Sequence, residues 1–206
     1  MIAAMSARVP GKDSRLVVSA RNGERDAREA LGKQVGRTTY VFALQLTGNR
    51  DAALDVTQDS VLSFFKNIDR FDAGQPLEPW LYQIVRNRVR DLARRERLRR
   101  HESLDQWLEE GRSESPNASA DPAAEFERID LQRRIWSAAS LLSDAQREIF
   151  VLRDFHDLSY REIAEVLSIP QGTVMSRLHA ARVALRSLLS EDHRAPAQSN
   201  TERRDL

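Results

Sequence analysis

Three consecutive stretches decide the fold. The first is Leu158-Ser159-Tyr160-Arg161-Glu162-Ile163-Ala164-Glu165-Val166-Leu167, and the second is Ser168-Ile169-Pro170-Gln171. The third is Gly172-Thr173-Val174-Met175-Ser176-Arg177-Leu178-His179-Ala180-Ala181-Arg182. Ser159 with Glu162 three residues on is a capping box. It opens a short helix carrying Ile163 and Leu167 on one side. The proline-containing turn Ser168 to Gln171 separates this helix from a second one, which runs from about Gly172 to Leu189. There Val174, Leu178, Ala181, Leu185 and Leu188 recur at helical spacing. Two short helices joined by a tight turn, the second with a basic and polar outer face, form a helix-turn-helix pattern. The alternative is a plain helical hairpin with a solvated charged face.

Removing the core positions from the second helix leaves Gln171, Thr173, Ser176, Arg177, His179 and Arg182 free to meet DNA, with Arg186 a turn further on. Arginine pairs bidentately with guanine edges, glutamine with adenine, and serine or threonine with either. Residues near the helix start reach deepest into a groove, so Gln171, Thr173, Ser176 and Arg177 are expected nearest the bases. Arg182 and Arg186 are expected on the phosphate backbone. His179 fits either role, or simple exposure.

The same helical periodicity extends upstream. A capping box at Ser143 and Gln146 opens a helix with Ile149, Leu152 and Phe155, preceded by Phe126, Ile129, Ile135, Trp136 and Ala139. Further upstream, helical patterns begin at Leu16, break at Gly23, and run from Ala30 to Thr47. Another runs from Arg50 to Ile68 with Ala53, Val56, Val61, Phe64 and Phe65 inward. After the loop Phe71 to Pro76, a long helix from Glu78 to about Arg99 carries Trp80, Leu81, Ile84, Val85, Val89 and Leu92 on one side and arginine on the other. No strand pattern appears. The expected fold is all-α: two small helical domains with separate cores, joined by a flexible acidic linker, the second holding the helix-turn-helix. The boundaries expected are a flexible start 1–14, a first domain 15–100, a linker 101–124, a second domain 125–190 and a flexible tail 191–206. Leu104, Trp107 and Leu108 in the linker form either a docking turn or a loose flap.

Charge is distributed unevenly. The chain of 206 residues has a formal net charge of +1, with 29 Arg and 3 Lys. From Arg86 to Arg100, eight arginines face only Asp91 and Glu96, a local net of +6. From His101 to Asp130, nine acids face Arg112 and Arg128, a local net of −7. Two basic regions flanking an acidic middle point to two contacts with a polyanion. Asp51, Asp55 and Asp59 repeat at four-residue spacing on one helix face, which fits either a basic protein partner or a solvated surface.

Composition excludes much chemistry. With no cysteine, disulfides, thiol nucleophiles and thiolate metal sites are excluded. The four histidines are scattered, and no phosphate loop of the G-x-x-x-x-G-K type occurs. No cofactor and no enzymatic activity are expected. No apolar run is long enough to span a membrane, and Met1 to Pro10 lacks the apolar stretch of a secretory signal. The expected location is the cytoplasm.

Several segments together resemble the bacterial extracytoplasmic-function (ECF, group IV) sigma factors of RNA polymerase. Thr47 to Asp51 with Asp55-Val56-Thr57-Gln58-Asp59 resembles region 2.2. Phe71 to Pro76, followed by Pro79-Trp80-Leu81-Tyr82-Gln83-Ile84-Val85-Arg86-Asn87 and the arginines through Arg95, resembles regions 2.3 and 2.4. Leu142-Ser143, Gln146-Arg147-Glu148 and the helix-turn-helix itself resemble region 4. The resemblance covers about 16–97 and 126–189. It implies a protein that binds core RNA polymerase, with region 2 on the β′ coiled coil and region 4 on the β flap. Such a protein recognises the promoter −35 and −10 elements and promotes DNA opening. It also implies an anti-sigma partner and no membrane insertion.

Residue by residue, the resemblance places Asp55, Gln58 and Asp59 on the polymerase-binding face, with Ala52 and Leu54 where acids are common. Asp72, Ala73, Gly74 and Gln75 fall in the loop that captures an unstacked base. Arg86, Asn87, Arg90, Arg94 and Arg95 fall on the track for the −10 element and its single strand. Trp80 is tempting as a melting wedge, but its place on the apolar stripe assigns it to the core. A two-domain helix-turn-helix repressor or activator without sigma activity is the alternative.

Overall fold

A computed structural model of the chain describes residues 12–102, 131 and 133–192. Among these residues every regular element is helical. The first unit comprises α1 (Lys12–Arg21), α2 (Arg25–Thr47), α3 (Arg50–Lys66), a 3-10 turn (Ile68–Arg70) and α4 (Leu77–Glu102). The second comprises α5 (133–140), α6 (Asp144–Phe150), α7 (Tyr160–Leu167) and α8 (Gln171–Asp192). The expected linker and its apolar trio Leu104, Trp107 and Leu108 lie outside the described residues, as do Phe126, Ile129, the first eleven residues and the tail from His193.

Local chemistry fixes the helix ends. α2 stops where Gly48 adopts φ 65°, its N–H bonded to the Leu44 carbonyl, a left-handed cap that glycine enters without a Cβ penalty. Asn49 then starts α3 at once by accepting the Ala52 N–H at 2.9 Å. The Ser159–Glu162 capping box expected for α7 is present. At α6, the Gln146 side chain accepts the Ser143 N–H at 3.2 Å. α6 does not continue regularly. Val151–Phe155 is wound as a π-helix, the His156 N–H reaching back to the Val151 carbonyl at 3.1 Å, and Asp157 follows at φ 51°. α1 begins at Lys12 rather than Leu16, because its first turn packs toward the loop after the 3-10 turn: Ser14 donates to the Ala73 carbonyl.

The first unit has a core of its own around Val17, Leu31, Val35, Phe64, Ile68, Leu77 and Leu81. Phe64, Leu31, Leu77 and Leu81 are at most 1% exposed, each worth roughly 1.5–3 kcal/mol of burial. Trp80 stacks on Phe71 with centroids 5.0 Å apart and leans on Phe64 at 5.3 Å, a packing position.

Separate cores for the two units are not what the structure has. A second cluster runs without a break from Phe42, Ala43, Leu46, Tyr82 and Val85 of the first unit into Ala139, Ile149, Leu152, Leu158, Ile163 and Val174 of the second. The reason lies in α4, which is apolar on two sides. Leu77, Leu81 and Val85 face α2 and α3, while Tyr82 and Val89 complete a second stripe that reading a single face overlooks.

Candidate nucleic-acid interface

In the helix-turn-helix, Val174, Leu178, Ala181 and Leu185 are buried as expected. Gln171, Ser176, Arg177, His179, Arg182 and Arg186 are exposed, and Thr173 is half-buried. This face is not uniform. Arg182 donates to Asp154 Oδ1 at 2.7 Å, and that bond raises its pKa above the ordinary arginine value. A phosphate must compete with this carboxylate for Arg182. Met175, 54% exposed, stands among the polar residues of the same turn. Its thioether suits apolar contact with a thymine methyl, and a reading restricted to hydrogen-bonding side chains passes over it.

The loop before α4 is built from backbone bonds. Asp72 Oδ1 accepts the Gly74 N–H at 2.9 Å, and the Asp72 carbonyl accepts the Gln75 N–H at 2.9 Å. Asp72, Gly74 and Gln75 are exposed and Ala73 is half-buried. α1 braces the loop, since Arg21 donates to the Ile68 carbonyl at 2.9 Å and to the Phe71 carbonyl. Neither Arg21 nor Ser14 carries a sequence signal for this role, which depends on a contact across about fifty residues of chain.

Along α4 the expected strand-binding residues part company. Asn87, Arg90, Arg94 and Arg95 are exposed. Arg86, expected among them, is 6% exposed. It belongs to the second stripe of α4 and points into the second unit. Its Nε donates to Glu148 Oε2 at 3.2 Å, and its Nη1 and Nη2 donate to the Val166 and Leu167 carbonyls at 3.4 and 3.2 Å. Those carbonyls end α7, the first helix of the helix-turn-helix. Burial lowers the Arg86 pKa from its ordinary value; Glu148 opposes this, while nearby Arg90 and Arg177 add to it. Arg90 donates twice to the same carboxylate, at 3.3 Å each.

The rest of the junction is polar and aromatic. Tyr82 Oη lies 2.8 Å from His156 Nδ1, and Gln45 Oε1 lies 2.6 Å from His156 Nε2. Phe42 packs on both rings. Arg147 donates across it to the Leu46 carbonyl at 2.9 Å. Glu148 does carry a sequence signal: it falls on the Glu148, Leu152, Phe155 stripe of its helix, an acid in line with core residues.

On the other side of the first unit, Asp55, Gln58 and Asp59 are exposed along α3. With Arg88, Asp91 and Arg95 of α4 they line a groove of mixed charge. Leu54, 50% exposed, and Leu62, 63% exposed, flank them.

Two helical units, one with a basic helix beside an acidic one and the other with a helix-turn-helix, define a transcription initiation factor of the sigma-70 type. Residues 32–99 match the family described as Sigma-70 region 2, and residues 132–185 match Sigma-70, region 4. The sequence is 34% identical over 151 residues to the ECF RNA polymerase sigma factor EcfG of Rhodopseudomonas palustris, covering 73% of this chain and 78% of that one. It is 32% identical over 171 residues to the ECF RNA polymerase sigma factor SigE of Mycolicibacterium smegmatis, covering 83% of this chain and 65% of SigE. The solved sigma factor RpoE of Bartonella quintana, in complex with the anti-sigma factor NepR, superposes with a TM-score of 0.67 at 26% identity, covering 82% of this chain and 99% of RpoE. CnrH in complex with the cytosolic domain of CnrY gives 0.61 at 26% identity, over 87% and 98% of the two chains. The chain belongs to the ECF RNA polymerase sigma factors, and a repressor without sigma activity is not favoured.

Proposed function

We propose that this protein is a group IV ECF sigma factor. It joins core polymerase through Asp55, Gln58 and Asp59 on the β′ coiled coil and through its second unit on the β flap. It reads the −35 element with α8 and opens the −10 element at the 72–75 loop and the exposed part of α4. The observation that carries this reading is the exposed polar face of α8, held rigid by four buried aliphatic positions and preceded in the chain by the acidic α3 and the basic α4. On α8, Gln171, Ser176 and Arg177 lie toward the helix start, where bases are reached, and Arg186 serves the phosphates. The two family matches leave only residues 100–131 between them, which supports two domains bridged by a linker. The protein carries no catalytic chemistry and acts in the cytoplasm; among the described residues no helix is long and apolar enough to cross a membrane. Because RpoE and CnrH were solved with NepR and CnrY bound, an anti-sigma protein is proposed as the third partner.

Transcription by core polymerase on a genomic fragment library, with and without the protein, tests the reading. New discrete start sites are expected only when it is added. Unchanged transcripts, together with a stable homodimer on palindromic DNA, would return the repressor reading.

A further inference from the structure

We infer that the chain blocks its own strand-binding track: Glu148 occupies Arg86 and Arg90 in place of a promoter phosphate, so the packed arrangement of the two units and −10 strand binding exclude one another. The inference rests on the proposed role of α4 as the strand-binding helix.

The guanidinium fork recognises carboxylate and phosphate through the same planar, bidentate geometry. Glu148 is used in this way, both oxygens accepting from Arg90 and one also from Arg86. The carboxylate is built into a closed site, its side chain only 10% exposed and that of Arg86 only 7%. The remaining Arg86 donors are consumed by the α7 carbonyls, so no face of this guanidinium is left for DNA. Asn87, Arg94 and Arg95 stay exposed. The block therefore covers the start of the track and leaves its continuation as a landing site for a strand.

Opening exchanges one anion for another at Arg86 and Arg90, so the buried charges need never be stranded. A buried guanidinium with no partner is the costly state, and incoming phosphate avoids it. The Tyr82–His156–Gln45 contacts and the Arg147 bond to α2 hold the same junction away from the charges. The closed state thus survives in the absence of DNA without relying on the ion pairs alone.

The absence of cysteine makes the test direct. Asp69→Cys and Ser187→Cys, both at exposed positions in different units, carry a fluorophore pair in the full chain. Energy transfer is read with and without a random-sequence single-stranded DNA 20-mer, whose affinity is measured in parallel. Wild type is expected to show high transfer that falls on adding DNA. Glu148→Gln, which keeps the shape and removes the charge, is expected to lower transfer without DNA. Apparent affinity scales with the open fraction, so an open fraction of roughly one in ten predicts about a tenfold tighter complex on opening. Gln45→Ala, which loosens the junction away from the arginines, is expected to move both readings the same way and serves if Glu148→Gln fails to fold by circular dichroism. DNA binding at unchanged transfer would overturn the inference, as would folded variants that match wild type in both readings. Core-dependent transcription with wild-type protein separates the two failures: transcription with no response in either variant discards the block and keeps the sigma assignment, whereas absent transcription discards the assignment.

Discussion

Arg147 offers a sharp test of how the second unit is held. Its guanidinium donates to four backbone carbonyls: Ala139 at 3.2 Å, Leu46 at 2.9 Å, Ser140 at 2.9 Å and Leu142 at 3.1 Å. Three of these close the turn between α5 and α6, and the fourth reaches the end of α2. The side chain is 17% exposed, so water replaces only part of what is lost on truncation. Hydrogen bonds to a charged group are worth about 1.5–3 kcal/mol each, and such values are not additive. For one guanidinium at a partly wet site, Arg147→Ala is expected to cost about 2–4 kcal/mol. Asp144, 3.9 Å away and 75% exposed, adds little. For a chain of this size that corresponds to a fall in thermal midpoint of roughly 5–15 °C. Arg147→Lys keeps the charge but not the planar fork and should recover less than half. Urea and thermal unfolding by far-ultraviolet circular dichroism give both values. A loss below about 0.5 kcal/mol for Arg147→Ala, typical of an ordinary surface change, would refute the bonding pattern.

Three further outcomes are expected. Arg177→Ala should cost about 1–3 kcal/mol and relax preference at one upstream promoter position, whereas Arg182→Ala should cost less and act equally on all sequences, because Asp154 already holds that guanidinium; promoter variants titrated across a salt series decide it. Asp55→Lys with Asp59→Lys should weaken holoenzyme assembly more at low ionic strength than at high, with helicity unchanged, as read by core-polymerase binding at two salt concentrations. Ser159→Ala removes the bond to the Glu162 N–H and should lower stability by about 1 kcal/mol, measured by urea unfolding.

The helices were legible in the sequence because their signals are local. Gly48, the Ser159–Glu162 box and the aliphatic stripe of α8 each act within a turn or two of chain, and each stands where the pattern puts it. The packing of one unit on the other was not legible, because it depends on pairs such as Arg86 with Glu148, separated by 62 residues. Arginine density along α4 reads as a solvated basic face, and nothing within the helix marks Arg86 apart from Arg90. The partial clue was an unusual placement: Arg86 follows Tyr82 by four residues and precedes Val89 by three, so it shares their stripe. Arg182 fails for the same reason, since Asp154 comes from a helix whose winding the pattern does not reveal.

That winding has a consequence for how the protein tolerates changes in length. A π-helical turn holds one residue more than its bonding pattern would in a regular α-helix, so Val151–Phe155 behaves as an absorbed insertion. Deleting a single residue there can restore an ordinary helix without breaking it, but everything downstream then rotates by about 100° relative to α6. Glu148 lies upstream of the segment and α8 lies downstream. The segment therefore sets the angular phase between the carboxylate that grips α4 and the helix that faces DNA. One residue more or less at this point re-aims one surface against the other while every side chain on both is kept.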